Sequence, residues 1–91
     1  MSLVGEATRL TTYNLCDLDL RVMNLASGLD PNGRGLSQAS SDVGSTELRV
    51  WNSMRKLRRS GLMHVTTSIS RVGPLTPRGM AALAEAREEA R

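Results

Sequence analysis

Five polar side chains recur at helical spacing in the middle of the chain: Arg49, Asn52, Arg55, Lys56 and Arg59. At about 100° per residue, Arg49, Asn52, Lys56 and Arg59 fall on one side of a helix, with Arg55 at its edge. Val50, Met54 and Leu57 fall opposite. Cations held in such a stripe neutralise a row of anionic groups, and an amide among them adds a paired donor and acceptor. The surrounding charge fits the same chemistry. Residues 45–79 carry Arg49, Arg55, Lys56, Arg58, Arg59, Arg71 and Arg78 against Glu47 alone, a balance of +6. Residues 1–44 and 80–91 carry −2 and −1, so the net charge of +3 conceals a basic middle between mildly acidic ends. That is the footprint of a face for a polyanion, though a basic helix with solvated charges fits it equally.

Other chemistry finds little support. The single His64 lies in a β-like run with no acid patterned around it, so no Ser-His-Asp set and no metal site is expected. Asp17 and Asp19 are two apart on a helix and do not face each other. Gly33-Arg34-Gly35 follows Pro31-Asn32 rather than a strand, so it is no phosphate-binding loop. The one cysteine, Cys16, allows neither an internal disulfide nor a cysteine-rich zinc site. No apolar run approaches the roughly 20 residues of a membrane span, and MSLVGEATRL lacks the pattern of a signal peptide. The expectation is a cytoplasmic protein that is not an enzyme and takes no cofactor.

The elements that must position the stripe follow from length and periodicity. Ninety-one residues fit one domain. With one Trp, one Tyr and no Phe, its core must be Leu, Val, Met and Ala, which suits packed helices. Residues 1–12 read as a lead-in, a mobile segment or short strand, and 13–91 as the domain. From Tyr13, the spacing of Leu15, Leu18, Val22, Leu25 and Leu29 predicts a first helix with an apolar stripe, capped by Asn14 or Cys16 and ending at Gly28. Asp30-Pro31-Asn32-Gly33-Arg34-Gly35 reads as a turn. Leu36–Val43 reads as a short helix capped by Ser37. Gly44-Ser45 makes a tight connection, and Ser45 or Thr46 caps the basic helix, Thr46–Ser60, which Gly61 ends.

The period then changes. Leu62–Ile69 reads as a strand, Ser70–Pro74 as a turn, and Leu75-Thr76 as a short returning strand. Thr76 caps a last helix with Pro77 in its first position, and Met80, Leu83, Ala84 and Arg87 share one face. Met23, Met54, Met63 and Met80 read as core filler. The fold class is mainly α with a small β-hairpin: a winged helix-turn-helix with three-helix core, wing and C-terminal helix.

Two stretches closely resemble that family, and a third resembles it in part. Val50-Trp51-Asn52-Ser53-Met54-Arg55-Lys56-Leu57-Arg58-Arg59-Ser60-Gly61-Leu62 is similar to the recognition helix of MarR-type and PadR-type regulators running into the first wing strand. Leu75-Thr76-Pro77-Arg78-Gly79, followed by Met80 and Leu83, resembles the segment that closes the wing and opens the final helix. Asp19-Leu20-Arg21-Val22 resembles the first core helix. The wing is short, lacks the acidic–basic pair usual in MarR proteins and the aromatic strand usual in PadR proteins, and the long flanking dimer helices are missing. The resemblance therefore implies the winged-helix module rather than a subfamily.

It implies a small transcriptional regulator bound to double-stranded DNA, with helix 46–60 in the major groove and wing 62–76 on the flanking backbone. Arg49 and Asn52 are then the base readers, since Arg pairs with guanine and Asn with adenine. Arg55, Lys56 and Arg59 neutralise phosphates, Ser45 and Thr46 hold one at the helix N-terminus, Arg71 lies at the wing tip, and Arg78 adds a phosphate contact. Alternatively, Arg58 and Arg59 only complement the helix C-terminus. Trp51 is expected to pack against the wing or first helix; Tyr13 either packs or touches the DNA backbone. A homodimer through the Ala-rich C-terminal helix would double the base contacts. The rival reading is a winged helix that docks on another protein, such as a polymerase, without binding DNA.

Overall fold

Capping chemistry sets where the helices begin. The computed structural model describes residues 15–65 and 71–89. These form α1 (Asp17–Ala26), β1 (Arg34–Gly35), α2 (Leu36–Val43), α3 (Glu47–Arg59), β2 (Arg71–Val72) and α4 (Pro77–Glu89), four helices with a two-stranded antiparallel sheet. The expected lead-in 1–12, Tyr13, Asn14, and the part of the wing strand and turn at 66–70 lie outside the described residues.

Cys16 is the N-cap of α1, and its backbone N–H donates to the Asp19 carboxylate at 3.0 Å. The acid in the third helical position satisfies an orphan donor at the helix start. Gly35, not Ser37, precedes α2; the Ser37 carbonyl instead accepts from the Ser40 hydroxyl. Thr46 caps α3, its hydroxyl oxygen accepting from the Arg49 N–H at 3.2 Å. Gly61 follows α3 at φ +74°, the left-handed turn expected of a helix-ending glycine. Thr76 joins two elements: its hydroxyl accepts from the Gly79 N–H at 3.0 Å and donates to the Gly61 carbonyl at 2.6 Å.

The segment read as one turn is a turn and a strand. Asp30 closes the turn by accepting from the N–H groups of Asn32 and Gly33. Arg34 and Gly35 then pair with Val72 and Arg71. A Cβ on Gly33 would sit 2.1 Å from the Val72 carbonyl oxygen, so only glycine lets the chains meet here. Arg71-Val72, read as part of a turn, is thus a strand, fixed by the full burial of Val72. The base of the expected hairpin is present: Met63 and Leu75 form an antiparallel bridge, flanked by His64 N–H to Pro74 O and Thr76 N–H to Leu62 O.

The core is built as composition required, from Val22, Met23, Ala26, Val50, Met54, Leu57, Leu62, Val72, Leu83 and their neighbours. Its centre on α1 differs from the expected leucine stripe. Asp19, Val22, Met23 and Ala26 face inward, while Leu15, Leu18, Leu25 and Leu29 pack half-buried on its flank. Val22, Met23 and Ala26 fill the centre, and the leucines pack at the edges. On α4 the inward side is Gly79, Ala82, Leu83 and Ala86; Met80 and Ala84 are exposed, which corrects both the expected face and the assignment of Met80 to the core. Gly79 is the reason. A Cβ there would lie 2.0 Å from the Leu62 carbonyl oxygen, so α4 rests its glycine side on the chain leaving α3. Among the described residues no helix is long and apolar enough to cross a membrane.

Candidate nucleic-acid interface

The amphipathic pattern of α3 is realised as two opposite faces. Val50, Met54 and Leu57 are fully buried, while Leu48, Arg49, Asn52, Arg55 and Arg59 are exposed on the other side. The connection from α2 is three residues, 44–46, tightened by Gly44 N–H to Ser41 O and Ser45 N–H to Ser40 O. It sets the start of α3 at the surface, where Thr46 is exposed and Ser45 half-buried. Asn52, Arg55, Lys56, Arg59 and Ser60 line an open groove of about 260 Å³ along the last turns. Among the described residues, the guanidinium groups of Arg49, Arg55, Arg59 and Arg78 have no ion-pair or hydrogen-bond partner, which leaves their charge for an external anion.

Lys56 is placed differently. Its ammonium sits 2.5 Å from the Asp19 carboxylate, whose side chain is 3% exposed, against 34% for the lysine. Asp19 also accepts from the Ser53 hydroxyl at 2.6 Å. Burial by itself raises the Asp19 pKa, but the hydrogen bonds from Lys56, Ser53 and Cys16 outweigh it and hold the carboxyl below its ordinary value. This cluster pins α3 to the start of α1. Sequence reading missed it, although Ser53 and Lys56 are three apart and flank the apolar stripe, where a buried acid on a neighbour can reach both.

Arg71 is likewise engaged. Rather than at a wing tip, it stands in β2, donating from Nε to the Asn32 carbonyl at 2.9 Å and from Nη2 toward the Gly33 carbonyl at 3.4 Å. Arg58, which could have served only the end of its own helix, donates to the Arg71 carbonyl at 2.7 Å, and burial lowers its pKa. Arg78 is exposed in the first turn of α4, with its guanidinium beside Gly61 at the end of α3. Trp51 is half-buried against the core, as a packing role requires.

The outer surface of α3 thus presents, from N- to C-terminus, Leu48, Arg49, Asn52, Arg55 and Arg59, with Arg78 beyond the helix end. Leu48 did not figure among the candidates, yet it is 67% exposed, and a helical wheel puts it between Asn52 and Arg55. No family model, curated protein or solved structure matches this chain.

Proposed function

We propose that the chain is a winged helix-turn-helix protein that binds double-stranded DNA sequence-specifically, a small transcriptional regulator with α3 in the major groove. The observation that carries the reading is the exposed polar face of α3, whose arginines have no described partner while the opposite face is fully buried. The order of elements supports it: α1, β1, α2, a three-residue turn, α3, a hairpin base, β2 and α4. Arg49 and Asn52 read base edges. Arg55 and Arg59 neutralise phosphates, helped by Ser45 and Thr46 at the start of α3 and by Arg78. Lys56 contributes by fixing α3 through Asp19, and Arg71 by holding the 30–33 turn. The segment 62–76 lies on the flanking backbone. No cofactor or catalysis is part of the proposal, and the cytoplasm is its compartment.

Two substitutions separate the roles. Arg59→Ala is expected to weaken all DNA sequences alike and to lower the slope of log affinity against log salt by about one. Arg49→Ala is expected to cost about 1–3 kcal/mol on the preferred sequence and much less on random DNA. Equal loss on every sequence from Arg49→Ala would remove it from the base readers.

The protein acts as a homodimer in this proposal, through the outward side of α4, where Met80 is 46% exposed beside Ala84. Met80→Glu is expected to give a monomer in sedimentation and to weaken binding to a two-half-site duplex more than to a single half-site. The second reading, docking on another protein, is favoured by an open cavity of about 510 Å³ lined by Leu29, Pro31, His64, Val65, Pro74 and Leu75, with Val65 73% exposed. The charge of α3 sets DNA ahead of it.

A further inference from the structure

Three large apolar side chains are exposed among the described residues, Leu48, Val65 and Met80, and only Leu48 stands on α3. It is in the second position of the helix, outside the set of side chains that pack on the core. Asn52, Arg55 and Arg59 follow at i+4, i+7 and i+11, so the four side chains form one row along the outer surface. An arginine-rich face that placed every position for phosphate would have no use for a leucine in that row. A groove that displays both hydrogen-bonding edges and an apolar group would. In the major groove of DNA the apolar group is the C5 methyl of thymine, which no other base presents.

We infer that Leu48 is a specificity-determining residue that recognises a thymine methyl, and that the preferred sequence places this thymine one or two steps from the base read by Asn52. The inference rests on the reading of α3 as the helix that enters the major groove. One turn of helix advances about 5.4 Å, and successive bases along a strand are about 3.4 Å apart. Leu48 and Asn52 therefore meet bases one or two steps apart. Asn52 pairs with adenine through N6 and N7, and Leu48 closes over the thymine methyl. The contact excludes water from one methyl group, which is worth about fourfold in affinity.

The test uses the full chain and a duplex selected from a randomised pool, with each thymine replaced in turn by deoxyuridine, which removes only the methyl. One replacement is expected to weaken the unaltered protein about fourfold. Leu48→Ala is expected to bind the thymine duplex about fourfold more weakly and to be indifferent to that same replacement. Leu48 is two-thirds exposed, so this variant keeps its fold, and circular dichroism checks that it does. The deoxyuridine arm needs no variant at all. Sequence-selective binding in which no replacement matters, or in which Leu48→Ala still feels the missing methyl, overturns the role of Leu48 while leaving the DNA reading intact. Absence of salt-dependent binding to any duplex, selected or random, overturns both.

Discussion

Asp19→Ala is expected to destabilise the protein by about 3 kcal/mol, measured by urea unfolding at pH 7. The carboxylate is enclosed, 3% exposed, and accepts from three donors: the Lys56 ammonium, the Ser53 hydroxyl and the Cys16 N–H. Removing it leaves Ser53 and Cys16 without this acceptor and takes the carboxylate from beside Lys56, the costly way to break a buried pair. Lys56 keeps 34% of its side-chain surface in water, which places the cost at the lower end of that range. Asp19→Asn tests the charge alone. The folded carboxyl titrates below its ordinary value of 3.8, so its contribution is complete above that value and is lost as the pH falls through the lower folded one. Between pH 5 and pH 3 the unaltered protein is therefore expected to lose more stability than Asp19→Asn. An identical loss in both would show that the carboxylate contributes nothing through its charge.

Gly79→Ala carries the second large effect, and its sign opposes helix propensity. On an exposed helix surface the change stabilises by about 1 kcal/mol. Here the added Cβ would lie 2.0 Å from the Leu62 carbonyl oxygen and 3.2 Å from the Leu75 Cβ. The obstacle is backbone, and that carbonyl already accepts from the Thr76 N–H. Either α4 moves away from the end of α3 or the hairpin base opens. A loss of about 2–3 kcal/mol is expected. Gly28 supplies the control, because the nearest atom to its added Cβ is 4.0 Å away. Gly28→Ala is expected to be neutral or slightly stabilising. A stable Gly79→Ala would mean that α4 does not rest on Leu62.

Much of the frame was legible in the chain because local signals agreed. Thr46, Gly61 and Thr76-Pro77 bound the last two helices through short-range capping chemistry, which needs no knowledge of the rest of the fold. Val50, Met54 and Leu57 give the buried side of α3 by periodicity alone. The two-residue strands were hidden by the opposite circumstance. Gly33-Arg34-Gly35 and Arg71-Val72-Gly73 are rich in turn-forming residues, and the pairing joins Arg34 to Val72 and Gly35 to Arg71, far apart in sequence, with Val72 buried in the core. Non-local burial also explains the misplaced face of α4, which a single close approach at Gly79 determines.

The candidate site divides in the same manner. Arg49, Asn52, Arg55 and Arg59 stand where helical spacing put them. Lys56 and Arg71 carry the same charge in sequence, yet one is drawn to a buried acid and the other to two carbonyls. A count of cations does not distinguish a phosphate ligand from a structural tie; only the positions of Asp19 and the 30–33 turn do. Leu48 went unremarked, although the same helical wheel places it between Asn52 and Arg55.

The measurement closest to the central claim is the salt dependence of binding to a labelled duplex, by fluorescence anisotropy from about 50 to 200 mM salt. With Arg55, Arg59 and Arg78 each neutralising one phosphate, the log–log slope is expected to be about −2.7 per protomer, a loss of about fortyfold across that range. Binding that is absent at the lowest salt, or that holds constant across the range, would contradict the assignment of the outer face of α3 to DNA.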